Sequence, residues 1–152
     1  MSLILGIEYC KLDNNGRFKL PIAIKKQLDG DDCRFVFRRC IYAPCLELWT
    51  CASFAKELDL LQKELSPHSI EDRKMLHILS ASSMVDLDSN DRLVIPNEQR
   101  DYLKASKEIV LQATGRFMEV WDREAYSKYN EALADYAVKI DERLGGVKYA
   151  AE

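Results

Sequence analysis

The sequence has no surplus of positive charge. Its 152 residues carry 22 Lys and Arg against 25 Asp and Glu, a formal net charge of −3. That excludes a uniformly basic nucleic-acid coat and leaves any polyanion site to a local patch. There is no apolar run near the ~18 residues that a membrane span requires. The opening stretch Met1-Ser2-Leu3-Ile4-Leu5-Gly6 lacks the basic start and long apolar core of a signal peptide, and reads as a β-strand. Histidine is scarce (His68 and His77), and the five cysteines, Cys10, Cys33, Cys40, Cys45 and Cys51, contain no CxxC pair. Such spacing does not fit a structural zinc site, so no metal and no other cofactor is expected. An odd set of thiols without an export signal reads as reduced cysteines, buried in strands, in a cytosolic protein. GxSxG, P-loop, HExxH and GxGxxG motifs are all missing, so no catalytic residue is assigned and an enzyme is not expected. With 47% hydrophobic and 31% charged residues, the chain has an ordinary globular balance. Its length suits one domain or two small halves.

What the sequence does have is an internal repeat. Sliding the chain by 75 residues lays Tyr9–Pro21 over Met84–Pro96, with Leu12/Leu87, Asp13/Asp88, Asn15/Asn90, Arg17/Arg92 and Pro21/Pro96 identical. The match resumes at an offset of 72, where Leu46-Glu47-Leu48-Trp49 lies over Met118-Glu119-Val120-Trp121 and Phe54 over Tyr126. The change of offset places three extra residues in the first copy, expected in a hairpin loop around Arg38 to Pro44.

Both copies read alike. A strand enters Asp13-Asn14-Asn15-Gly16 or Asp88-Ser89-Asn90-Asp91, residues that favour tight turns. A second strand follows, then a Pro where a short helix begins, running to about Leu28 or Leu103. Two further strands pair Arg34–Arg38 with Cys45–Trp49, and Ile109–Ala113 with Phe117–Trp121 across a Thr114-Gly115-Arg116 turn. Between the copies, apolar residues at 54, 58, 61 and 65 mark a helix that Ser66-Pro67 stops. Ser69-Ile70-Glu71-Asp72 resembles a capping box for a second helix through Leu79. Asp122 is expected to cap one long final helix, whose Tyr126, Tyr129, Leu133, Tyr136, Ile140 and Leu144 form a near-heptad seam ending at Gly145-Gly146. That seam suits either packing on the chain's own sheet or contact with another subunit. The expected units are a first repeat (5–53), a helical connector (54–81), a second repeat (82–125) and a C-terminal helix (122–146).

The duplicated Asp-x-x-x-Arg-x-x-x-Pro motif, with its Leu-Glu-Leu-Trp and Met-Glu-Val-Trp echoes, resembles the MraZ family, built from two tandem AbrB-like (SpoVT-AbrB) repeats. The resemblance spans essentially the whole chain. It implies an α+β fold, mainly β with appended helices, in which the two repeats form a double-split, swapped-hairpin AbrB-like β-barrel. It also implies a cytoplasmic, nucleoid-associated repressor of a division and cell-wall operon. Such a protein binds repeated double-stranded DNA elements upstream of its own genes and assembles into a ring-like homo-oligomer, an octamer or a dodecamer. No membrane partner is implied. The signature residues fall on Asp13, Arg17, Asp88 and Arg92.

The two copies differ in charge. Residues 11–28 carry Lys11, Arg17, Lys19, Lys25 and Lys26 against Asp13 alone. Residues 86–103 carry Arg92 and Arg100 against Asp86, Asp88, Asp91, Glu98 and Asp101. Phosphate neutralisation dominates DNA affinity, so the first repeat is expected to contact DNA and the second to be structural. Arg17 suits a guanine edge or a phosphate, while Lys11, Lys19, Lys25 and Lys26 suit phosphates. Asn14 and Asn15 sit at the turn tip, and Asp13 is placed to hold the Arg17 guanidinium. Asp91 stands where the first copy has Gly16, a poorer fit if that position needs positive φ. The rival functions are an assembly protein that binds no DNA, an antitoxin-like AbrB relative, and an acid pair formed by Asp13 and Asp88.

Overall fold

The computed structural model describes residues 3–30 and 32–145. Eight strands and six helices follow in order: β1 (Ile4–Lys11), β2 (Arg17–Lys19), α1 (Ile22–Lys25), β3 (Arg34–Arg39), β4 (Leu46–Thr50), α2 (Cys51–Glu64), α3 (Ile70–Ser80), β5 (Ser82–Asp86), β6 (Arg92–Val94), α4 (Asn97–Leu103), β7 (Glu108–Gly115), β8 (Met118–Asp122), α5 (Arg123–Ala132) and α6 (Tyr136–Leu144). The two repeats are therefore β1-β2-α1-β3-β4-α2-α3 and β5-β6-α4-β7-β8-α5-α6.

Neither repeat closes its own sheet. The six-stranded antiparallel sheet runs β1-β7-β8-β4-β3-β5, and β2 pairs with β6 in a separate two-stranded ribbon. Each repeat sends its first strand to the third strand of the other, and its second strand to its counterpart. Exchanging the repeats reverses the strand order onto itself, a pseudo-twofold. The pairings leave β1 and β5 as open edges, so among the described residues the strands form a mainly antiparallel α+β sheet and not a closed barrel.

Period-2 alternation sets which side chains face where. Phe35, Phe37, Leu46, Leu48, Ile109, Leu111, Met118 and Val120 point to one face of the sheet. They form one core with Phe18 and Leu20 of the first repeat and Leu93 and Ile95 of the second. On the other face, Val36 and Trp49 pack under Phe54 of α2, and Val110 and Trp121 under Tyr126 of α5. The repeat positions matched in the sequence thus occupy matching places in the core.

The outer face also carries a polar knot. Arg38, 5% exposed, donates to Glu47 Oε1 (2.9 Å), Glu57 Oε2 (2.9 Å) and the Leu79 carbonyl (2.9 Å). Its guanidinium lies over the Trp49 and Phe54 rings, and Trp49 Nε1 donates to the same Glu47 oxygen at 3.0 Å. One buried cation therefore ties β3, β4, α2 and the end of α3 together. The second repeat keeps the tryptophan–carboxylate bond, Trp121 Nε1 to Glu119 Oε1 at 3.2 Å. It has Gln112 in place of the arginine, however, accepting from the Tyr126 hydroxyl at 2.8 Å.

Several details differ from the sequence reading. The three extra residues of the first copy are divided. Lys11 pairs with Glu108 and Asp86 with Arg34, which sets β3 against β7 at an offset of 74. One extra residue thus precedes β3, and two lie in the β3–β4 loop. The first short helix stops at Lys25, because Gln27 and Leu28 turn back to carbonyls only three residues away. Ser69 does cap α3, but Asp72 accepts from the Ser66 amide (3.0 Å) and not from Ser69, so the box is not reciprocal.

The final helix is two helices. Asn130 Nδ2 takes the Tyr126 carbonyl, and the amides of Leu133, Ala134 and Tyr136 reach back three residues, tightening the turn between α5 and α6. That break divides the seam. Tyr126 and Tyr129 pack on Trp121, whereas Tyr136, Ile140 and Leu144 are 46, 50 and 39% exposed. Gly145 is helical (φ −58°) and is not a left-handed cap; Gly146 lies outside the described residues, as do Met1 and Ser2 of the opening stretch and the tail 147–152. Cys40 and Cys45 are buried and Cys10 is half-buried in β1, but Cys33 is exposed in a loop and Cys51 opens α2. Burial pushes the Cys10 thiol up to about 11 and raises that of Cys45 as well. Among the described residues no helix is long and apolar enough to cross a membrane.

Breaking the knot strands two carboxylates with little access to water. Arg38→Met is expected to lower stability by about 3–5 kcal/mol, measured by urea unfolding; a loss below about 1 kcal/mol would show that the knot contributes little to the fold.

Candidate nucleic-acid interface

Both Asp-x-x-x-Arg segments fold into the same turn. The Gly16 amide bonds the Asp13 carbonyl at 3.0 Å, and the Asp13 amide bonds the Arg17 carbonyl at 2.9 Å. The Asp13 carboxylate then accepts from the amides of Asn15 (2.9 Å) and Arg17 (2.8 Å). In the second copy, Asp91 and Arg92 take the places of Gly16 and Arg17, and the Asp88 carboxylate accepts from Asn90 (2.8 Å) and Arg92 (2.9 Å). The motif's aspartate is thus a turn-former. The amide of the residue four positions on (Arg17 or Arg92), and after it that of Asn15 or Asn90, holds each carboxyl below the usual carboxylate range. Two ionised acceptors, each used by its own turn, are not a proton-sharing acid pair.

The arginine side chains differ. Arg92 Nε lies 3.4 Å from Asp88 Oδ2. Arg17 is exposed, and among the described residues no carboxylate comes within ion-pair distance of its guanidinium. Asp13 touches the Arg17 amide, not the guanidinium it was expected to hold.

The β2–β6 ribbon brings the two motifs together. Its register pairs Arg17 with Val94, Phe18 with Leu93 and Lys19 with Arg92. Phe18 and Leu93 are 1% and 0% exposed, so they point into the core. The alternation turns Arg17, Lys19, Arg92 and Val94 to the other face. Three cations from both repeats therefore share one outward surface. The sequence reading set Arg92 apart in an acidic half; the strand exchange places it directly across from Lys19.

The acidity of the second repeat is also partly cancelled from across the pseudo-twofold. Asp91 Oδ1 is 2.6 Å from Lys25 Nζ, and Asp86 Oδ1 is 2.9 Å from Arg34 Nε. Lys25 is thereby engaged with a carboxylate. Lys11 ends β1 opposite Glu108, Lys26 is exposed past α1, and Asn14 and Asn15 are exposed at the turn tip.

The glycine–aspartate difference coincides with what lies over each turn. Both positions need the left-handed region, Gly16 with φ +77° and Asp91 with φ +60°. Gly16 is covered by the Arg100 guanidinium of α4, and a Cβ there would come within 2.5 Å of Arg100 Cζ and Nε. At the equivalent place on the second turn, Lys25 of α1 meets Asp91. Each turn is thus roofed by a basic residue of the other repeat. The signal for this lay in the sequence, since Lys25 and Arg100 are 75 residues apart, but only the strand exchange shows which turn each one covers.

Among the described residues no group of three or more His, Cys, Asp or Glu side chains gathers as a metal site. A family model described as "MraZ protein, putative antitoxin-like" matches residues 78–146. Over 153 residues the chain is 29% identical to the transcriptional regulator MraZ of Flavobacterium psychrophilum, covering 97% of this chain and 95% of that one. It is 30% identical over 155 residues to the protein of the same name from Christiangramia forsetii, covering 96% and 95%. With that of Legionella pneumophila it shares 30% over 138 residues, 90% of this chain and 91% of the relative.

The turn carboxylates give the fold a pH-dependent contribution. Their folded-state pKa lies below the unfolded value of about 3.9. Their contribution is therefore present above that value and lost as pH falls through the folded one. Replacing Asp13 and Asp88 together by Asn is expected to flatten the fall of the urea midpoint between pH about 5 and 2.5; parallel profiles for native and variant chains would refute it.

Proposed function

The chain belongs to the MraZ family, and from that membership we propose that it is a sequence-specific DNA-binding transcriptional regulator whose reading surface is the outward face of the β2–β6 ribbon. The observation that carries this is the clustering of Arg17, Lys19 and Arg92 on one side of a two-stranded antiparallel ribbon anchored from behind by Phe18 and Leu93. A ribbon of that width fits the major groove, where side chains meet base edges. Arg17 is the unpaired fork and takes a guanine edge or a phosphate. Lys19, Lys11 and Lys26 take phosphates, with Lys25 adding what its bond to Asp91 leaves free. Asn14 and Asn15 reach bases or backbone from the turn tip. Asp13 and Asp88 shape the turns, and Arg92, tethered to Asp88, has the lesser role. The first repeat thus leads and the second supports it.

In this reading, residues 5–53 and 82–125 act as AbrB-like repeats of a double-split, swapped-hairpin barrel, with helical segments at 54–81 and 122–146. The protein represses its own division and cell-wall operon from the nucleoid. One ribbon contacts few phosphates, so a single subunit binds weakly at cellular salt. A ring of eight or twelve copies on tandem DNA elements gains about 10²–10⁴ in avidity when spacings match. The exposed Tyr136, Ile140 and Leu144 of α6 and the absence of any buried residue on α3 support such self-association.

Fluorescence anisotropy with DNA from upstream of the gene, with unrelated DNA as competitor, tests the reading. The native chain is expected to bind tightly, resist the competitor and weaken with salt. Arg17→Ala is expected to cost about 1–3 kcal/mol per contact, and Arg92→Ala clearly less. No binding by a folded sample would overturn the regulator reading, and equal losses would overturn the leading role of the first repeat.

A further inference from the structure

We propose that Arg100, carried by the second repeat, is a phosphate-binding residue of the first repeat's turn, so that a single DNA site is built from both halves of the chain. This rests on the reading of the ribbon as the DNA-contacting surface and adds to it a residue from the half whose local charge is negative.

The Arg100 side chain lies against Gly16, the residue that joins Asn15 at the turn tip to Arg17 on the ribbon. The left-handed φ of +77° and the missing Cβ are what let it approach so closely. It therefore stands at the Arg17 end of the ribbon, whose other end carries Lys19 and Arg92.

Arg100 also has no acidic partner among the described residues. Its side chain donates to a neutral acceptor, Asn97 Oδ1. Among the described residues no carboxylate lies within 4 Å of its guanidinium, and its Nε is shielded from water with no acceptor. A depression beside it is lined by Asn97, Asp101, Lys104 and Ala105, so one acid and one further base border it. An exposed basic side chain is usually just solvated. A guanidinium seated on the residue next to Arg17, with one acid and one further base bordering it and one donor unmatched, is under-neutralised and favours an anion. Guanidinium suits that anion, since its planar fork matches phosphate oxygens.

The two turns differ across the pseudo-twofold. Lys25 holds the matching post over the second turn, where Asp91 replaces Gly16 and binds it at 2.6 Å. The carboxylate that closes the second turn to phosphate is absent from the first. One substitution, glycine for aspartate, thus leaves one of two equivalent roofing cations open to a backbone phosphate.

The experiment is a salt titration of DNA affinity with the full chain, comparing native protein, Arg100→Gln, Arg100→Lys and, as a remote charge control, Lys74→Gln. The slope of log affinity against log salt counts phosphates neutralised. Arg100→Gln is expected to reduce the slope by about one per bound subunit with thermal stability checked alongside. Arg100→Lys is expected to restore it, and Lys74→Gln to leave it unchanged. A native slope in Arg100→Gln would overturn the proposal while leaving the regulator reading standing. A slope lost in Arg100→Gln and not recovered in Arg100→Lys would also overturn it, since charge would not be the cause. Failure of the native chain to bind any DNA would overturn both.

Discussion

The exchange of strands between the two repeats governs the rest of this molecule. Neither half pairs its own first strand with its own third: β1 crosses to β7 and β5 to β3, and the short strands β2 and β6 pair with each other. From that one constraint the remaining geometry follows. The two Asp-x-x-x-Arg turns arrive at opposite ends of one ribbon, their arginines share its outer face, and the helix after each ribbon strand lies over the other repeat's turn. A sequence duplication thereby becomes a single surface with pseudo-twofold symmetry. The small differences between copies become differences between the two ends of that surface.

Electrostatics shows why local charge counts mislead in such a fold. The second repeat looks hostile to a polyanion when its residues are counted along the chain. In space, Asp91 is answered by Lys25 and Asp86 by Arg34, both from the first repeat. These pairs are partly exposed and add little to stability. What they change is the field, because carboxylates bound to cations repel a phosphate backbone far less. The buried counterpart is Arg38, where two carboxylates, two aromatic rings and a carbonyl surround one guanidinium. The second repeat dispenses with it by using a neutral Gln112 and a tyrosine hydroxyl. The same strand position thus serves as a charged joint in one half, where a second helix must be fixed, and as a neutral one in the other.

Much of this could be read from the sequence. The period-2 pattern placed the strands, the repeat matched Phe18 with Leu93 and Trp49 with Trp121, and the Asp-Asn-Asn-Gly segment announced its turn. The positive φ suspected at Asp91 is there. What could not be read was non-local. The role of Asp13 as a backbone acceptor depends on turn geometry that equally well suits a guanidinium clamp. The division of the three extra residues needed the strand registers. The break after Ala132 lies in the amides of Leu133, Ala134 and Tyr136, which reach back three residues, and periodicity does not reveal it because Leu133 still falls on the seam. Arg100 was legible as a residue but not as a neighbour of Gly16, since nothing in a linear repeat says that each half roofs the other.

The strand exchange also sets the order in which the chain can be completed. Ile4 at the start of β1 is paired with Gly115 at the end of β7, so β1 is made long before its partner strand. Contacts of such sequence separation are slow to form, and a chain is made at about 5–20 residues per second. For several seconds on the ribosome, the edge of β1 that faces β7 is therefore unpaired. The first repeat cannot finish folding before the second has emerged, and a chain cut short between them is left with a sticky edge instead of half a regulator.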